Sequence, residues 1–165
     1  MAHGGHGHAD FDSAACALAH GAVELAPDGR AVVAVFDSPV ARHLLHFAAT
    51  LGFKAELADP FDAAVVDANT DVVVCDHDRP ELGEALRDAL ASRARWIGLM
   101  GNPRHMGPHV EALRALGVDD AQIARVHRPI GLNIGSKTPA EIALSTLAGL
   151  VADRNSRPGG FAFPV

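Results

Sequence analysis

Hydrophobic positions along the chain fall into two alternating rhythms. Short apolar or β-prone runs read as strands: Ala31-Val32-Val33-Ala34-Val35-Phe36, Lys54 to Leu57, Asp71 to Cys75 and Arg95 to Leu99. The run from Asp71 to Cys75 is the most β-branched and predicts a central strand. Between these runs, apolar residues recur every three to four positions, the helical rhythm. Pro39 suits a first helical turn, and that helix runs through Leu51 to a stop at Gly52. Pro80 to Ser92 and Pro103 to Leu116 predict two more helices, the second ending at Gly117, and a short one follows over Asp120–Arg125. The last helix has the clearest start, with Thr138-Pro139-Ala140-Glu141 as a capping box and Pro in the first turn. An apolar stripe of Ile142, Leu144, Leu147, Leu150 and Val151 follows.

Strands alternating with helices over short loops predict an α/β protein, a Rossmann-like three-layer fold with a mainly parallel sheet. One domain over residues 11–155 is expected, with a His- and Gly-rich flexible tail at 1–10 and a second tail at 156–165 around Pro158-Gly159-Gly160. No internal repeat is present.

Composition narrows the function. The 165 residues are 48% apolar and 21% charged, a balance of ordered domains. At this length a compact fold buries roughly 70% of the unfolded chain's surface. Fourteen basic against twenty acidic side chains give a net charge of −6, and no basic run marks a nucleic-acid surface. The chain has no tyrosine, which excludes the Tyr-Lys chemistry of short-chain dehydrogenases, and only two lysines, Lys54 and Lys137. Cys16 and Cys75 are far apart and form no CxxC pair, so neither a disulfide framework nor a zinc ribbon is expected. Residues 1–10 lack the apolar segment of a signal peptide, and Val72 to Cys75 is too short to span a membrane. A cytoplasmic location follows.

In an open parallel sheet, ligands bind beyond the carboxyl ends of the strands. Four loops qualify: Phe36–Val40, Asp76–Pro80, Met100–His105 and the stretch before the last helix. The first, Phe36-Asp37-Ser38-Pro39-Val40-Ala41, lacks the glycines of a dinucleotide-binding turn, and Asp37 adds charge where phosphates would lie. Asp59 stands where a ribose-binding acid belongs, though an acid also commonly ends a strand. NAD(P) is therefore not the expected cofactor.

Asp76-His77-Asp78 sets two carboxylates around an imidazole, a grouping suited to a base or a metal ligand; alternatively Asp78 only caps the next helix. In Gly98-Leu99-Met100-Gly101-Asn102-Pro103-Arg104, Gly98 and Gly101 let a ligand approach the backbone, Asn102 caps and Arg104 grips an anion. The segment Pro129-Ile130-Gly131-Leu132-Asn133-Ile134-Gly135-Ser136-Lys137-Thr138 brings Gly131, Gly135, Ser136, Lys137 and Thr138 to a helix N-terminus, where free N–H groups favour an anion. It departs from a P-loop because Ser136 replaces the second glycine and Pro139 removes a donor. His3, His6 and His8 in the first tail form a weak metal-binding pattern, while His43, His46 and His109 read as residues of solvated helix faces.

The block Ala124-Arg125-Val126-His127-Arg128-Pro129-Ile130-Gly131-Leu132-Asn133-Ile134-Gly135-Ser136-Lys137-Thr138-Pro139-Ala140-Glu141-Ile142-Ala143 closely resembles the signature of the XdhC/CoxI family. His77-Asp78 after the central strand, the Ile97–Asn102 turn and Asp59-Pro60 match further family features, and the similarity covers residues 30–153. The resemblance implies an accessory chaperone for molybdenum hydroxylases such as xanthine dehydrogenase or carbon monoxide dehydrogenase. Such a protein holds molybdenum cofactor (molybdopterin), assists its sulfuration and passes it to the apo-molybdenum hydroxylase, with a cysteine desulfurase as a further partner. It implies a carrier rather than an enzyme, with the pterin phosphate near Gly135–Thr138 and Arg104. Self-association into a homodimer fits the same picture. Two other readings compete. One is an NAD(P)- or nucleotide-binding oxidoreductase or regulator with a degenerate dinucleotide loop; the other is an interaction module docking through Phe161–Val165.

Overall fold

The computed structural model describes residues 16–22, 28–102 and 104–159. The histidines of the first tail and the Phe161–Val165 segment lie outside the described residues. Five strands form one wholly parallel sheet: β1 (Ala31–Val35), β2 (Lys54–Ala58), β3 (Thr70–Val74), β4 (Trp96–Leu99) and β5 (Val126–His127), in the order β2-β1-β3-β4-β5. Between them run α1 (Pro39–Thr50), α2 (Leu82–Ala91), α3 (Pro108–Ala115), α4 (Asp120–Ile123) and α5 (Pro139–Arg154). A single 3-10 turn at Ala63–Val65 lies between β2 and β3.

Both central strands are buried on both faces, which is why they read as unbroken apolar runs. Alternate side chains divide the core in two. Val32 and Ala34 of β1 and Val73 of β3 meet Leu44 and Ala48 of α1 and Leu147 and Leu150 of α5. Val33, Val35, Val72 and Val74 face the other way, onto Leu86 and Leu90 of α2 and Leu113 of α3. The expected three layers are therefore present, and the sheet is entirely parallel.

The element starts differ from expectation in informative ways. Helix α2 begins at Leu82, not Pro80, and no side chain caps it; Asp78 instead donates its backbone N–H to Asp76 Oδ1 at 2.9 Å, so Asp78 is not a helix cap. Helix α3 starts at Pro108, not Pro103. Asn102 Oδ1 accepts the Arg104 N–H at 2.9 Å and Asn102 O accepts the His105 N–H at 3.2 Å, closing a turn that delays the helix. Helix α4 ends at Ile123 rather than Arg125. Strand β5 was not expected: two residues are too few to give a periodic signal, and only pairing with β4 defines it.

The opposite end of the sheet is tied by charge. Asp71, fully buried on β3, receives Arg30 Nε at 2.8 Å and Arg95, and Arg30 Nη2 also reaches Asp153 of α5 at 2.7 Å. This network lies at the N-terminal ends of the strands, away from the edge where ligands bind.

Candidate functional site

The chain passes from β1 to β2 on one side and then crosses to β3 on the other. The crevice at this reversal lies beyond the C-terminal ends of β1 and β3. Phe36 leaves β1 with φ of 70°, a left-handed conformation uncommon for a side-chain-bearing residue, and its buried ring lies under the Arg79 guanidinium at 4.7 Å. The Asp37 N–H donates to Asp59 Oδ2 at 2.9 Å. Arg79 donates to both Asp59 oxygens at 3.1 and 3.2 Å, and Arg42 grips Asp37 in the same bidentate way at 2.8 and 2.7 Å. The Arg42 hydrogen bonds hold the Asp37 carboxyl below its ordinary range; for Asp59 the Asp37 N–H does so first and Arg79 second. Ser38 caps α1 by accepting the Ala41 N–H at 3.1 Å. A hollow of about 130 Å³ beside this network is lined by Phe36, Asp59, Pro60, Phe61, Arg79 and Glu81 among others. The position expected for a ribose-binding acid is thus engaged within the chain.

At the end of β3, Asp76 and His77 are half-buried and Asp78 is exposed. The imidazole Nε2 lies 3.7 Å from Asp78 Oδ1, too far for a hydrogen bond, and Asp76 closes the turn by accepting the Asp78 N–H.

The glycines in and after β4 are explained by packing. A Cβ on Gly98 would run into the Trp96 ring, which stacks on His127 at 5.4 Å between centroids. A Cβ on Gly101 would come within 2.6 Å of Arg128 Nε and Nη2. Asn102 and Arg104 are exposed, and the Arg104 guanidinium makes no ion pair among the described residues.

After β5, Gly131 takes φ of 90° against α5, where a Cβ would lie 2.7 Å from Ser145 Oγ. Gly135 takes φ of 71° facing open space. The donors expected to be free before α5 are occupied: the Glu141 carboxylate accepts the Lys137 N–H at 2.8 Å and the Thr138 N–H at 2.9 Å. Thr138 in turn accepts the Glu141 N–H at 3.3 Å, completing the expected capping box, while Ser136 Oγ donates to Glu141 O at 3.3 Å. The Lys137 side chain is exposed and, among the described residues, makes no ion pair. The sequence-selected residues therefore line one edge of the sheet, spread over the ends of β3, β4 and β5. At a strand spacing of ~4.8 Å, β3 to β5 spans ~10 Å.

Two residues at this edge escaped sequence reading. Arg128, just after β5, donates through Nη1 to His105 O at 2.9 Å and through Nη2 to Asn102 O at 3.1 Å, clamping the loop after β4. His109 is not on a solvated face: only 7% of it is exposed, because the Arg128 side chain and the backbone at Gly107 close over it. Burial first, and the Arg128 charge second, depress its pKa. No local pattern betrays either residue, since β5 itself is invisible in the sequence. Unpaired charge is also divided along the edge. Asp37 and Asp59 are paired with Arg42 and Arg79; among the described residues Asp76 and Asp78 after β3 have no arginine or lysine partner, and Arg104, Arg128 and Lys137 beyond β4 and β5 have no carboxylate partner.

Among the described residues no helix is long and apolar enough to cross a membrane. Comparison with known proteins agrees with this architecture. The uncharacterized protein YqeB of Escherichia coli (strain K12) is 38% identical over 105 residues, which is 62% of this chain and 19% of YqeB. A crystal structure of a xanthine dehydrogenase from Bacillus halodurans shares the fold, with a TM-score of 0.60 and 20% identity over 78% of this chain and 44% of that one. The chain thus spans about a fifth of YqeB and less than half of the solved chain. The family described as the XdhC Rossmann domain matches residues 32–150, and with most of its length matched, the chain belongs to that family.

Proposed function

We propose that this chain acts as the cofactor-handling part of an accessory protein for molybdenum hydroxylases such as xanthine dehydrogenase. It binds molybdenum cofactor over the C-terminal edge of the sheet, assists its sulfuration and delivers it to the apoenzyme in the cytoplasm. The observation that carries this reading is the charge division of that edge within the family-specific segment. The cofactor's phosphate calls for cations that are not already paired, and Arg104 and Lys137 are exposed without a carboxylate partner among the described residues. Its pterin ring, bearing N–H donors, suits the carboxylates of Asp76 and Asp78 and the imidazole of His77. When bound, the group supplies the molybdenum chemistry of the client enzyme, while the chain's residues hold and orient it.

Sulfur comes from a partner such as a cysteine desulfurase; the Cys75 thiol, pushed up to about 12 by burial, is not placed to supply it. The role is that of a carrier, alone or as a homodimer. A nucleotide-binding regulator is the weaker reading: Asp59 is held by Arg79 and Asp37, and the turn after β1 has no glycine. Equilibrium binding of purified molybdenum cofactor tests the proposal. Wild type is expected to bind saturably, with weaker binding in Lys137→Ala and Arg104→Ala. Undetectable binding by well-folded wild type, or a thermal shift with NAD(P)H instead, overturns it.

A further inference from the structure

We propose that Arg128, His109 and the N-terminus of α3 form an oxyanion site, one that takes a phosphate or pyrophosphate group. The proposal rests on the cofactor reading and deepens it by adding a phosphate anchor at the start of α3 to the exposed cations Arg104 and Lys137. Four observations converge on it.

Two backbone donors before α5 are already taken, since Glu141 accepts the Lys137 and Thr138 N–H groups. The start of α3 has no side-chain cap: its N-cap is Gly107, and Glu111, the acid of its first turn, makes no cap hydrogen bond. Helices α1, α4 and α5 are capped by Ser38, Asp119 and Thr138, whereas α2, like α3, is not.

A cation stands at this helix end. Among the described residues Arg128 reaches the carbonyls of His105 and Asn102, and its buried Nε–H has no partner. Burial lowers its pKa.

The third observation is His109, the second residue of α3, whose buried Nδ1 also lacks a partner among the described residues. Leaving such an atom unsatisfied typically costs about 1–3 kcal/mol, which makes it unusual in a finished core. Finally, Gly107 brings the groups together. A Cβ there would collide with His109 Nδ1 and lie 3.1 Å from Arg128 Cδ, while a Cβ on Gly101 would lie 2.6 Å from Arg128 Nε, so the two glycines flank the Arg128 side chain and one of them meets His109. In the proposed site an oxyanion at the start of α3 accepts from the guanidinium and from the helix N–H groups. His109 completes the set by protonating as the anion arrives and then donating through Nδ1.

The probes are inorganic phosphate and pyrophosphate, titrated into the intact chain by calorimetry. One site is expected, weakened at least tenfold in His109→Gln and in Arg128→Lys, which keeps the charge but loses the planar fork. Because Arg128 also clamps a loop, Gly107→Ala supplies the decisive variant. Its φ of −70° and ψ of 126° suit any residue, and the added methyl meets His109 and Arg128 first. It should abolish binding while leaving the circular dichroism spectrum unchanged. Lys54→Ala, at the opposite end of the sheet, controls for general charge and should bind as wild type does. No saturable binding by wild type, or binding indifferent to all three site variants, overturns the proposal. Phosphate binding without molybdenum-cofactor binding would retain this site and discard the cofactor reading; the reverse would discard this site alone.

Discussion

Arg30 and Asp71 form a buried ion pair across β1 and β3, 2.8 Å apart, with the carboxylate wholly enclosed and a second guanidinium, Arg95, on its other oxygen. Burial pushes the Asp71 carboxyl above its usual range against the pull of the two arginines. Removing Arg30 leaves the buried carboxylate to Arg95 alone, with one oxygen stripped of its charged donor. Arg30→Gln should lower stability by about 1–3 kcal/mol at pH 7 in urea denaturation. The sign with pH follows. A carboxyl whose folded pKa is raised favours the fold in acid and loses that contribution as pH rises through the folded value. The variant should therefore sit closer to wild type near pH 4 than at pH 7.

The start of α5 depends on Thr138 and Glu141 capping each other's backbone. Thr138→Ala should cost about 1 kcal/mol in the same assay. The Thr138 and Lys137 N–H groups hold the Glu141 carboxyl below its usual range, so its contribution is present above the ordinary glutamate value of 4.5 and is lost as pH falls further. Glu141→Gln should flatten the acid limb of the stability–pH profile.

Thiol reactivity separates the two cysteines. Cys16 is exposed, whereas Cys75 is buried with its thiol pushed up to about 12. An aromatic disulfide reagent at pH 8 should titrate one thiol rapidly in native protein and two after unfolding. Rapid reaction of both would show that the sheet end at Cys75 opens readily.

Gly98 makes room for the single tryptophan of the chain. Gly98→Ala should displace the Trp96 ring from His127, cost about 1–3 kcal/mol through overpacking, and shift the intrinsic fluorescence. An unchanged spectrum would mean that the ring does not cross that strand.

Much of the fold was legible because its signals are local. The continuous apolar runs of β1 and β3, the Ser38 and Thr138 caps, and Gly52 and Gly117 after α1 and α3 each act within a few residues. The start of α3 was not, because Pro103 and Pro108 both suit a first helical turn. The Asn102 turn and the Arg128 clamp, which reaches back from beyond β5, select the later proline. The same long-range contact hides His109, whose spacing alone suggests a solvated helix face.

The sequence by itself determined the α/β alternation, the loops at which chemistry gathers and the capped start of α5, since periodicity, proline placement and capping operate over one or two turns of chain. Only the tertiary structure decided which donors at those loops remain free. Glu141 occupies two of those before α5, whereas Arg128 and His109, nineteen positions apart, both lie against Gly107, each with one nitrogen unsatisfied among the described residues. Hydrogen-bond satisfaction depends on what neighbouring strands bring together, and no window of sequence contains that information.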